Sequence, residues 1–153
     1  MKKTRITTNV FLPMPVVIVG TEIRGRPNFL TAGWVSRVNT DPPMIAVSIS
    51  RANATPKVSR RTGAFSINLP TAAMVKETDY CGLVSCRYTD KSNIFDHFQG
   101  TLTGAPMILN CPLVMECRLV DTMELPTHLL FIGEIIGGYA SEGGALSGGA
   151  DRI

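Results

Sequence analysis

The sequence predicts a mostly β domain with short helices, closed or nearly closed into an antiparallel barrel. Three observations lead there. Short runs of β-branched and apolar residues recur along the chain. The 14 glycines and 10 prolines fall largely between those runs, as turns do in a β-rich fold. No G-x-G-x-x-G or G-x-x-x-x-G-K-[ST] loop is present, which disfavours a parallel nucleotide-binding fold.

The first strand is read at Pro15–Ile23, from its β-branched residues. Arg24–Pro27 follows as a turn. Asn28–Val38 reads as a second strand, broken by Asp41-Pro42-Pro43. Met44–Ser50 has little polar character and reads as a central strand. A short helix is expected from Thr55, a natural N-cap, to Gly63, with Pro56 at its first position. Ala64–Leu69 is a strand and Thr71–Tyr80 a second short helix. Tyr88–Gly104 is polar and loop-like, with a helical turn near Ile94–Phe98. Pro112–Val120 and His128–Tyr139 close the fold as an antiparallel pair joined by Asp121–Thr127. Residues 1–140 then form one domain, and the Gly-rich residues 141–153 a mobile tail. A chain of 153 residues is long enough to bury roughly two thirds of its extended surface.

Several functions are disfavoured by composition. The net charge of +3 is scattered and does not interleave with aromatic residues, so nucleic acid is not an expected partner. No apolar stretch is long enough to span a bilayer as a helix, and no secretory leader pattern is seen. A cytoplasmic protein is expected. Cys81, Cys86, Cys111 and Cys117 match no standard zinc spacing, and buried reduced thiols are expected. No Ser-His-Asp elbow, H-E-x-x-H pair or paired carboxylate supports a hydrolase or a metalloenzyme.

Two windows and one histidine carry the chemistry. In the first window, Ser48-Ile49-Ser50-Arg51-Ala52-Asn53-Ala54-Thr55-Pro56, an apolar strand ends in hydroxyls and a guanidinium, and a helix start follows at Thr55. Free N–H groups at a helix start, hydroxyl donors and an arginine suit a phosphate. On residue types alone, an ordinary capped helix is the commoner explanation. In the second window, Thr31-Ala32-Gly33-Trp34-Val35-Ser36, the small residues Ala32 and Gly33 let a ligand approach the backbone, and the only tryptophan stands beside them. A flat heterocycle fits this window, as does a β-bulge with a core tryptophan. His128 opens an apolar strand after Leu125-Pro126-Thr127 and could face a pocket mouth. The lack of other catalytic groups suits an enzyme whose cofactor carries the chemistry.

Six blocks in order now become recognisable: Pro13-x-Pro15 to Thr21, Asn28 to Trp34, Asp41 to Val47, Gly63 to Pro70, Thr78 to Gly82 and Leu125 to Glu134. Together they resemble the flavin-reductase-like family, nearest to flavoredoxins. The resemblance implies an FMN-binding split barrel, usually a homodimer with flavin near the subunit interface. It implies that Thr31, Ala32, Gly33 and Trp34 lie along the isoalloxazine. Ser48, Ile49, Ser50, Arg51 and Thr55 would hold the phosphate. Lys91, in Asp90-Lys91, is similar to a basic residue that can approach that phosphate, and His128 to a histidine near flavin or nicotinamide. The expected function is oxidoreduction: electrons pass from NAD(P)H through bound FMN to a small-molecule acceptor or a redox protein. The alternative is an FMN electron carrier that a redox-protein partner reduces, with no NAD(P)H site of its own.

Overall fold

Val17–Ile23 (β1) and Arg26–Ala32 (β2) pair as an antiparallel hairpin in a computed structural model that describes residues 1–53 and 61–141. Arg24 and Gly25 join them with φ of 53° and 75°. Positive φ at both central residues makes the tight turn whose twist matches the strands. The single strand expected from Asn28 to Val38 is instead two. β2 ends at Ala32, Gly33 and Trp34 lie outside any strand, and Val35–Asn39 (β3) begins a new pairing with Met44–Ser50 (β4). The chain changes partner at Gly33-Trp34, from β1 to β4.

Ala64–Leu69 (β5) appears where it was read. The helix expected from Thr55 lies largely outside the described residues. Its described end, Arg61 and Thr62, is helical, and Gly63 follows at φ 68°. Ala72–Met74 forms a 3-10 turn that leads into α1, Val75–Leu83, so the second helix runs past Tyr80. The segment around Ile94–Phe98 holds no helical turn. His97–Phe98 (β6) pairs instead with Met107–Ile108 (β7) as a small ribbon. Leu113–Glu124 (β8) and His128–Ala140 (β9) form the long hairpin, and its loop is only residues 125–127. The tail expected to be mobile lies outside the described residues from 142 on.

The main sheet has the order β2-β1-β5-β8-β9-β4-β3 and is antiparallel throughout. One core lies inside it: Val17, Val19, Leu30, Ile45, Val47, Ile49, Phe65, Ile67, Leu129 and Phe131. These residues alternate along their strands, as a period of two requires. A second core uses Ile18, Phe29 and Val114, pointing the other way, with Cys81 of α1 and the 94–111 segment. β1 is buried on both sides for that reason, which explains its unbroken apolar run. Among the described residues no helix is long and apolar enough to cross a membrane.

Candidate functional site

Along β4 the odd residues Ile45, Val47 and Ile49 enter the core. Ser48 and Ser50 therefore face the other way. On β2, Leu30 and Ala32 pack inward, whereas Thr31 donates its hydroxyl proton to the Thr78 carbonyl of α1. The two outward stretches converge. Leu30, Thr31, Ala32, Gly33, Trp34, Ser48, Ile49, Ser50, Asn53 and His128 line one open cavity of about 220 Å³.

Thr31–Trp34 of one window and Ser48–Ser50 and Asn53 of the other thus share one cavity with His128, although up to 97 positions separate them in the chain (Thr31 to His128). The β4–β9 register, Ser50 opposite His128, brings the histidine there. Its ring centroid lies 4.4 Å from Trp34, tilted by 31°. Its Nδ1 is 2.8 Å from Thr127 Oγ1. Gly33 has no positive φ, and a Cβ there would meet nothing nearer than the Pro15 carbonyl at 3.8 Å. Nothing in the chain's own packing requires glycine at that position.

Arg51 follows Ser50 but does not line the cavity. Its Nε donates to Leu125 O at 2.8 Å and its Nη2 to Glu124 at 3.2 Å, so it braces the β8–β9 turn. A guanidinium has five N–H donors, and these contacts use two of them. Thr55 lies outside the described residues. Lys91 is not brought to this cavity. It is buried, and its Nζ donates to Cys81 O at 3.3 Å and Val84 O at 3.1 Å, capping the C-terminal end of α1. Burial pulls its ammonium below the ordinary lysine value. Lys91 lines a different cavity of about 640 Å³, with Arg24, Arg26, Arg87 and Cys86.

Leu30 and Asn53 also line the cavity; the sequence alone assigns neither a role, although Asn53 lies inside the first window. Asn53 closes a turn onto Ser50 O at 3.1 Å, and the run Arg51-Ala52-Asn53 after a strand was its only signal. The thiols have no part in the site. Cys81, Cys111 and Cys117 are buried, and burial pushes them up to about 11, 12 and 12. Thiols held so high are poor nucleophiles. No cluster of His, Cys, Asp and Glu able to hold a metal occurs among the described residues.

Comparison with known proteins bears on this geometry. Residues 10–148 match the flavin reductase like domain. The flavoredoxin from Methanosarcina acetivorans is 48% identical and superposes with a TM-score of 0.90, over 93% of this chain and 77% of that one. An FMN-binding protein from Thermus thermophilus, solved with p-hydroxybenzaldehyde, is 26% identical with a TM-score of 0.83, over 94% and 83%. An uncharacterised protein from Aeropyrum pernix is 31% identical over 128 residues, which are 82% of this chain. The chain spans about half of that relative's length, 49%.

Proposed function

The chain belongs to the flavin reductase like domain family, and on that premise we propose that it is an FMN-binding electron carrier of flavoredoxin type. The observation that carries the proposal is the convergence of Thr31–Trp34, Ser48–Ser50 and His128 on one cavity. The likeness to a flavoredoxin at 48% identity supports the carrier in particular.

The residues fit the group. Gly33 leaves room beside the backbone that the chain itself does not use. Trp34 and His128 offer ring faces suited to a planar heterocycle. Ser48 and Ser50 supply hydroxyls, and Arg51 lies next in the chain with further N–H donors for a phosphate. Bound FMN would supply reversible one- and two-electron transfer; the protein contributes binding, orientation and electrostatics. Thr31 has given its proton to Thr78 O, so its hydroxyl can only accept from a ligand.

The cavity of about 220 Å³ is smaller than the roughly 300–1,000 Å³ of most small-molecule sites. FMN would therefore extend beyond it. A second copy of the chain completing the site accounts for this, and a homodimer is part of the proposal.

The half-buried position of His128 at the cavity supports a second reading, in which NAD(P)H delivers hydride directly. Anaerobic mixing of the FMN-loaded protein with NADH or NADPH separates the two. The carrier keeps its flavin absorbance with both nucleotides and loses it with dithionite. Fast bleaching by either nucleotide overturns the carrier in favour of the reductase. In that case His128→Ala should slow bleaching by about 10²-fold, the cost of a misplaced reactant, with FMN still bound. Under both readings FMN should bind more tightly than riboflavin by about 10-fold or more, the effect of one charged hydrogen bond. Equal affinities by calorimetry would remove the phosphate site.

A further inference from the structure

Residues 1–16 run outside the barrel and all are exposed. The β1 ladder starts only at Val17, and none of the turn and loop backbone hydrogen bonds among the described residues involves them. This arm nevertheless comes near the cavity wall at two places. The Phe11 ring centroid lies 6.3 Å from that of Trp34, tilted by 31°. The Pro15 carbonyl is the nearest atom to the open side of Gly33. Phe11, Trp34 and His128 thus form a chain of rings leading from the arm to the cavity.

The arm is stiff where it matters. Pro13 and Pro15 fix their own φ and hold Leu12 and Met14 extended. Phe11 is thereby delivered at a nearly constant reach from Val17, where the ladder begins. Trp34 needs such support, because it lies outside the strands and is 40% exposed.

We propose that residues 10–15 are a strap: Phe11 is a positioning residue that steadies Trp34 and so limits entry to the cavity beside His128. The inference rests on the flavin reading only for the identity of what enters. The grip is light, since one aromatic pair shifts an open–closed equilibrium by roughly 2- to 10-fold. Such a strap slows exchange of a planar ligand without blocking it.

Trp34 is the only tryptophan in the chain, so its fluorescence reports directly on the strap. The experiment compares the unaltered protein with Phe11→Ala and Leu12→Ala, first without ligand. Both side chains are mostly exposed, and neither change should unfold the barrel. Phe11→Ala should raise the acrylamide quenching constant and red-shift the emission, whereas Leu12→Ala should do neither. With FMN, Phe11→Ala should raise the association and dissociation rates together, by roughly 2- to 10-fold, and move Kd less. Unchanged quenching overturns the strap. So does raised quenching with unchanged FMN exchange rates. Failure of the unaltered protein to bind FMN would sink the flavin reading instead, and the ligand-free quenching would still decide whether Phe11 positions Trp34.

Discussion

Glu116 is a buried carboxylate on β8 that accepts hydrogen bonds from the backbone N–H of Leu102 at 2.7 Å, that of Thr101 at 3.1 Å and the Tyr139 hydroxyl at 2.7 Å. Burial alone would raise its pKa. The three donors outweigh burial and hold it below the ordinary carboxylate value of 4.5. The neighbours are shaped around it: a Cβ on Gly100 or Gly137 would come within 2.6 or 2.7 Å of its carboxylate. Glu116→Gln replaces one acceptor with a donor facing N–H groups, and should cost about 1–3 kcal/mol in a urea titration. The sign with pH follows from the depressed value. The unfolded chain binds the proton more tightly, so the stabilisation is complete above 4.5 and is lost as pH falls through the native value. Urea midpoints measured above and below 4.5 should therefore fall more steeply for the natural protein than for Glu116→Gln. None of this was legible in the sequence, where Glu116 is one acidic residue in an apolar run. Ser48, Ser50, Gly33 and Trp34 stood out in the sequence, because hydroxyls in an apolar run and a glycine beside a lone tryptophan break the pattern around them.

Elements were legible where a pattern is local, and not where a partner decides them. β4 and β5 were read with the bounds they have, since each is a short apolar run between turn residues. The break at Gly33-Trp34 was missed. Pairing with β4 rather than β1 begins there, and a single strand's pattern carries no record of its neighbour. The 94–98 segment was expected to turn helically. It extends because Phe98 pairs with Met107 and Phe95 packs on Phe29, with ring centroids 5.3 Å apart. Lys91 belongs to this scale. Its likeness to a phosphate-approaching residue came from neighbouring residue types, whereas its ammonium caps α1. Lys91→Met keeps the length and removes both hydrogen bonds. It should lower stability by about 1–3 kcal/mol in chemical denaturation and leave FMN affinity within two-fold or so. Loss of FMN affinity without loss of stability would return Lys91 to the phosphate.

At the scale of the whole molecule, the small open cavity between β2 and β4 leads to the expectation of a dimer. Sedimentation equilibrium should give twice the 16.5 kDa chain mass, and dilution to monomer should weaken FMN binding in parallel. A monomer that binds FMN with undiminished affinity would show that one chain completes the site. The β class, the place of most strands along the chain and the unusual residues of the two windows could be read from the sequence, because alternation, turn residues and misplaced polar groups are properties of short segments. Three things could not: the meeting of residues from both windows with His128 at one cavity, the bonding of Arg51 to the β8–β9 turn, and the place of Lys91 at the end of α1, outside that cavity's lining. Each depends on contacts between residues far apart in the chain, and only the register of the sheet and the packing of α1 against it decide which side chains meet.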